Sequence, residues 1–191
     1  TAGQLAKVTF SGGYPTGAVI TASGELVPNT PTIYYSNGNN APNLTSSWKP
    51  NRNGTGTSPT NFTSGNVFVV QSGHTMTTSA TWSVSGTNSR VLIENNGTLV
   101  ASLAITLAAA TYFQIDNGGT YKHQNTSAYS TTIFQGTEVF GNSSTVELNN
   151  SGTTGPSSVT FGNLTVNFTS TPSGSVNCTG GITTINGNLT V

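Results

Sequence analysis

Charge is what this sequence has least of. Asp, Glu, Lys and Arg make up 5% of its 191 residues, against roughly 25% in an average soluble domain. Five cations balance five acids. Lys7, Lys49, Arg52, Arg90 and Lys122 are scattered, so no cluster exists to neutralise a phosphate backbone or hold an anionic membrane surface. Nucleic acid is excluded as a partner class on that ground. The one cysteine, Cys178, excludes an internal disulfide. No His or Lys stands near it in sequence to activate the thiol, so a small buried or half-buried side chain is expected. The most apolar stretch, Leu99 to Phe113, is broken by Ser102, Thr106 and Thr111. It falls short of the roughly 18 residues of a spanning helix, so the chain is not expected to cross a membrane. His74 and His123 are isolated, whereas a metal site needs three or four ligands; no metal or cofactor is expected. Phosphate-binding loops, nucleophile elbows and the His-Glu-x-x-His zinc motif are missing too.

What is present is a repeat. A short apolar run, a Gly turn and a second short apolar or Thr-rich run recur from Val67 onward. Examples are Val67–Val70 with Gly73 and Val91–Ile93 with Gly97. Phe113–Ile115 with Gly119 repeats the pattern, then Phe140-Gly141, Phe161-Gly162 and Ile185-Asn186-Gly187. Successive anchor glycines are separated, by subtraction, by 24, 22, 22, 21 and 25 residues. That period signals stacked structural repeats. Val, Ile, Thr, Phe and Tyr dominate, and they suit a half-buried pleated surface. Leu103–Ala110 has some helical propensity, but it is short and falls between two rungs, so strand or irregular turn is expected. A rung of this length holds two or three strands of about five residues, each pairing in parallel with the rung before it. The expected fold is all-β, a parallel β-helix (β-solenoid) with an irregular N-terminal β cap. The rival is an antiparallel β-sandwich, which also has frequent turn signals. Asn beside Gly recurs at the turns, so stacked Asn ladders are a further expectation.

Residues 1–62 do not follow the repeat. Short strands are expected at Lys7–Phe10, Ala18–Thr21 and Thr32–Tyr35, then an Asn/Gly/Pro-rich linker. A solenoid must cover its first rung because an open edge exposes unpaired backbone groups. Residues 1–62 therefore read as a cap, with a separate ligand-binding module or a leader segment as alternatives. Residues 63–191 form the repeats. Trp48 and Trp82 read either as plugs packed against the first rung or as platforms for stacking a sugar ring. The chain starts at Thr1, which reads as a mature N-terminus after loss of a signal peptide, or a trimmed one.

Five acids leave little room for catalysis. Glu25, Glu94, Asp116, Glu138 and Glu147 are separated in sequence. Glu94 and Asp116, 22 residues apart by subtraction, are the pair to check for meeting on adjacent rungs as the carboxylates that glycoside hydrolysis needs. No catalytic residue is assigned, and no enzyme is expected. Asn-x-Ser/Thr triplets, among them Asn43, Asn96, Asn163 and Asn188, follow from the composition.

The segments Phe161–Asn167 and Ile182–Val191 resemble the repeat of large surface proteins of Bacteroidota. Ile133–Glu147 and Ser47-Trp48 with Asn66–Met76 are similar to it as well. The likeness covers about residues 44–191. It implies a β-solenoid exported across the outer membrane, commonly by the type IX secretion system, and an adhesive role. It carries no catalytic motif to transfer. The expected function is a non-catalytic structural or adhesive module, extracellular or at the cell surface. Its expected partners are surface polysaccharide, another cell-surface protein or the export machinery. An ice-binding face is the second reading, since Thr98, Thr120, Thr145, Thr165 and Thr190 follow the anchor glycines, though at drifting offsets. A polysaccharide-binding or polysaccharide-degrading β-helix is the third. Val191 falls inside a repeat, so the stack is expected to continue beyond residue 191 in a longer polypeptide, or to be covered by a partner.

Overall fold

A computed structural model describes residues 2–5, 7–8, 18–28, 30–125, 137–149, 159–168 and 182–191. Cys178 and part of Ile133–Glu147 lie outside the described residues. The chain divides into two units, Thr1–Thr32 and Ile33–Val191.

The first unit holds a one-turn helix α1 (Ala2–Leu5) and an antiparallel hairpin of β1 (Ala18–Ile20) and β2 (Leu26–Pro28). The strand expected at Lys7–Phe10 is not formed at Lys7. Its N–H donates to the Gln4 carbonyl at 3.1 Å and closes a turn after α1; Thr9 and Phe10 lie outside the described residues.

The second unit is a stack. Its strands are β3 (Ile33–Ser36), β4 (Trp48–Lys49), β5 (Val67–Val70), β6 (Thr75–Thr77), β7 (Trp82–Val84), β8 (Arg90–Ile93), β9 (Thr98–Ala101) and β10 (Ile105–Leu107). They continue as β11 (Tyr112–Ile115), β12 (Thr120–His123), β13 (Thr137–Phe140), β14 (Thr145–Leu148), β15 (Val159–Phe161), β16 (Asn163–Val166), β17 (Ile182–Ile185) and β18 (Leu189–Thr190). Sheet one runs β13-β11-β8-β5-β3-β4, and sheet two runs β18-β16-β14-β12-β9-β6. β7 pairs with β10, and β15 with β17. Among the described residues every pairing in this unit is parallel except β3 with β4. The fold is a β-solenoid, and facing antiparallel sheets are ruled out. We number the rungs one (β5, β6, β7), two (β8, β9, β10), three (β11, β12) and four (β13, β14). The pairs β15/β16 and β17/β18 continue the stack. The expected strand within Leu103–Ala110 is β10.

Register fixes the rung length. Val67 faces Arg90, a step of 23; Arg90 faces Tyr112, a step of 22; Tyr112 faces Thr137, a step of 25. Along sheet two, Thr145 faces Asn163, a step of only 18. Side chains alternate in and out along each strand. Phe68, Val91 and Phe113 form one inward column on sheet one, and Val70, Ile93 and Ile115 another, all buried. Sheet two supplies Met76, Leu99, Tyr121, Val146 and Leu164 to the same interior. Each large side chain so buried contributes about 1.5–3 kcal/mol relative to exposure.

The corner between the sheets is a four-residue turn on rungs one to four. Its closing N–H···O bonds are His74 to Gln71 at 3.0 Å, Gly97 to Glu94 at 2.8 Å, Gly119 to Asp116 at 2.9 Å and Ser144 to Gly141 at 3.0 Å. The third corner residue is left-handed at Gly73 (φ 78°), Asn96 (φ 59°) and Gly118 (φ 79°), as a type II turn requires. The fourth is glycine on rungs two and three, for another reason; His74 and Ser144 hold it on rungs one and four. A Cβ on Gly119 would lie 2.8 Å from the Ile93 carbonyl oxygen, and one on Gly97 2.9 Å from that of Val70. Backbone amides also bond from corner to corner, Gly73 to Asn96 at 3.0 Å and Asn96 to Gly118 at 3.1 Å. The expected column of anchor glycines therefore splits. Gly97 and Gly119 stack in register, whereas Gly141 holds the first corner position, level with Glu94 and Asp116. Asn–Asn stacking also gives way to a different pattern: Asn117 Oδ1 accepts from Ser143 N at 3.0 Å, and Asn163 Oδ1 from Asn188 N at 2.9 Å. Among the described residues only Asn186 and Asn142 bond amide to amide, at 3.0 Å.

Residues 33–49, within the expected cap, cover the first rung, and the chain divides after Thr32. β3 lies parallel on β5 and covers the edge of sheet one. Polar side chains cover the edge of sheet two: Asn39 Oδ1 accepts from Thr75 N at 2.8 Å, and Asn43 Oδ1 from Ser79 N at 2.9 Å. Trp48 closes the interior between them.

Candidate functional site

The most regular outward surface belongs to sheet two. Thr75, Thr98, Thr120 and Thr145 stand in one column, in register from strand to strand, followed by Asn163. Two residues on, the second column reads Thr77, Val100, Lys122, Glu147, Thr165 and Thr190. Neighbouring strands of a sheet lie about 4.8 Å apart, which sets the spacing of the hydroxyls along each column. For Thr98, Thr120 and Thr145 the drift relative to the glycines vanishes, because the glycines occupy different corner positions and these threonines do not; Thr165 and Thr190 stand in the second column instead. Alignment on the apolar strand residues instead of on glycine would have shown this column in the sequence.

Charge on this surface is self-paired. Lys122 Nζ lies 2.9 Å from Glu147 Oε2. Burial works to raise the Glu147 pKa, but hydrogen bonds from Lys122, Asn149 and Asn167 and the nearby ammonium carry it below its ordinary value.

The register does bring Glu94 and Asp116 to the same corner position on adjacent rungs, beside Gln71 below and Gly141 above. Each is already engaged. Arg52 forks onto Glu94, with Nη1 3.0 Å from Oε2 and Nη2 on Oε1, and stacks on the Tyr35 ring at 4.4 Å. The hydrogen bond from Arg52 is the main cause that lowers the Glu94 pKa. Asp116 Oδ1 accepts from Gln114 Nε2 at 2.7 Å. Arg52 was not singled out in the sequence; its partner is 42 residues away, with no local signal.

Trp48 and Trp82 are each 0% exposed. Their rings stack on each other with centroids 5.5 Å apart, and both meet Phe68 edge-on. Neither presents a face to a sugar, so the carbohydrate-contact reading of both is corrected: they are plugs of the first rung. Trp48 Nε1 donates to the Pro42 carbonyl at 2.8 Å, whereas Trp82 Nε1 is buried without an acceptor.

His74 Nδ1 lies 2.7 Å from Ser36 Oγ, which also accepts from Gln71 N at 2.9 Å. His123 is fully buried with Nδ1 3.1 Å from Tyr121 Oη. Burial pushes the Tyr121 phenol far above its ordinary pKa, so it stays protonated. Among the described residues no group of three His, Cys, Asp or Glu could hold a metal ion. No helix there is long and apolar enough to cross a membrane.

No family model, curated protein or solved structure matches this chain.

Proposed function

We propose that this chain is a non-catalytic structural and adhesive module of a larger bacterial cell-surface or secreted protein. The observation that carries this reading is the outer face of sheet two, a ladder of Thr and Asn columns whose few charges pair with each other. Such a face offers donors and acceptors at a fixed repeat and little charge. That suits a neutral, hydroxyl-rich surface polysaccharide. The likeness to Bacteroidota repeat proteins supports export by the type IX system and an extracellular location. The test is retention of the full chain on a panel of immobilised surface polysaccharides, compared with Thr98→Val/Thr120→Val. Loss of retention in the double variant is expected. Equal retention, or none by the parent chain, would remove the adhesive reading.

A second reading is ice binding, favoured by the register of Thr75, Thr98, Thr120 and Thr145 alone. The Lys122–Glu147 pair interrupts the neighbouring column, which weakens that reading. Thermal hysteresis that is lost in the same double variant would establish it. For the polysaccharide-degrading reading, Glu94 is held by Arg52 and Asp116 by Gln114. No release of reducing ends is expected from the parent chain, and release abolished by Glu94→Gln or Asp116→Asn would reinstate that reading.

A further inference from the structure

Rung four breaks two rules that rungs one to three keep. The first is the inward column of sheet one. It reads Phe68, Val91, Phe113 and then Glu138, each facing the next in register. Thr137 and Val139 on either side of Glu138 are exposed, so the carboxylate is on the core-facing side of β13. The second is continuity. On sheet two the ladder passes from β14 to β16 to β18, but on sheet one it ends at β13. β15 pairs with β17 as a separate ladder. The corner shortens there too, from Gly141–Ser144 to Gly162 alone, which accounts for three of the seven residues by which the step falls from 25 to 18. Side-chain packing, through Phe140 on Phe161 with centroids 5.8 Å apart, is what joins the two parts of that wall.

We propose that rung four is a built-in pH-sensitive break in sheet one: ionisation of Glu138 opens that wall at β13, where its ladder ends, while the sheet-two ladder through β14 and β16 stays paired. A buried carboxyl is tolerated when neutral and costly when charged. Glu138 is half-buried, and among the described residues burial is the cause that pushes it up to about 7. Opening hydrates the carboxylate and returns it to its ordinary range. The closed form therefore holds the proton more tightly than the open one, and rising pH favours opening between about 4.5 and 7. The described inward side chains of the neighbouring strands are mostly apolar. β11 presents Phe113, β14 presents Val146 and Leu148, and β15 presents Val159 and Phe161; β12 presents Tyr121 and His123. Lys122 and Glu147 point outward and pair with each other. The segments 126–136, 150–158 and 169–181 contain no Asp, Glu, Lys, Arg or His; their titratable side chains are Tyr129 and Cys178. Glu138 and His123 are thus the groups to separate.

The experiment is hydrogen–deuterium exchange of the full chain at pH 5 and pH 8, corrected for the intrinsic pH dependence of amide exchange. Protection over residues 137–140 is expected to fall on the order of 50-fold at the higher pH, while residues 145–148 on sheet two and 90–101 on rung two keep theirs. Glu138→Gln should abolish the fall, and His123→Gln should retain it. Glu138→Leu, which restores the apolar column, is the second variant should the glutamine loosen the packing. A fall that persists in both Glu138 variants, one that disappears in His123→Gln, one shared equally by rung two, or none in the parent chain would each overturn the proposal.

Discussion

Replacing Gly119 by alanine tests whether the corners are set by close approach between rungs. The new Cβ would sit 2.8 Å from the Ile93 carbonyl oxygen, 3.0 Å from that of Glu94 and 3.0 Å from Ile115 Cγ2. Neither carbonyl is free to retreat. Ile93 O accepts from Asp116 N at 2.9 Å, and Glu94 O from Gly97 N at 2.8 Å. Relief means stretching those bonds, each worth about 1 kcal/mol net, or accepting an overpacking strain of about 1–3 kcal/mol. Alanine recovers about 0.4–1 kcal/mol by stiffening the unfolded chain. The net expectation is a loss of about 2 kcal/mol, or a fall in Tm of roughly 4–8 °C for a unit of this size. Gly73→Ala is the contrast. Its Cβ meets nothing within 4 Å, and only the left-handed φ of 78° opposes it, at about 1–2 kcal/mol. Gly73→Asn should cost still less, because Asn96 holds that conformation in the matching corner at φ 59°. Thermal and urea unfolding followed by circular dichroism rank the three. If Gly119→Ala proved as stable as the parent while Gly73→Ala was the worst, contact between rungs would not be what selects glycine there.

Trp82→Phe removes a buried N–H that has no acceptor and should cost less in urea unfolding than Trp48→Phe, which also forfeits the bond to Pro42. Ser36→Ala leaves Gln71 N without its partner in a buried site; a loss of about 1–3 kcal/mol is expected, with the cap loosening before rungs two and three in exchange measurements. The Arg52–Glu94 pair lowers the Glu94 pKa, so its contribution is present above the ordinary carboxylate value and disappears as pH falls through the depressed one. With the Arg52 side chain 55% exposed, Arg52→Ala should cost under about 1 kcal/mol at neutral pH, and nothing at pH 2 or in high salt. A pH-independent cost would assign Arg52 a packing role on Tyr35 instead.

The period was legible because a corner demands glycine twice, once for its φ at Gly73 and Gly118 and once for its small size at Gly97 and Gly119. That double demand also blurred the reading. Counting from glycine to glycine mixed different corner positions, so Thr145, four residues after Gly141, looked out of step with Thr98, one after Gly97. The strand registers put both in one column. The alternation of apolar and polar residues made the walls readable, and it also contained Glu138, whose inward direction follows only from pairing with Phe113. The cap was foreseen as a role, but its contacts were not. Asn39, Asn43 and Ser36 act on strands 35 or 36 positions away, and no local pattern marks such a bond. Trp48 and Trp82 were readable as large side chains near the first rung, but their depth depends on the same distant packing.

The ladder bonds that join the rungs run along the stacking axis, so tension applied along that axis loads them one rung at a time. Each rung released from the stack would yield a length of chain set by its own register step, about 80 Å for the 23-residue step and about 60 Å for the 18-residue one. Under mechanical load the stack would behave as a graded extensible tether, paying out chain in discrete steps.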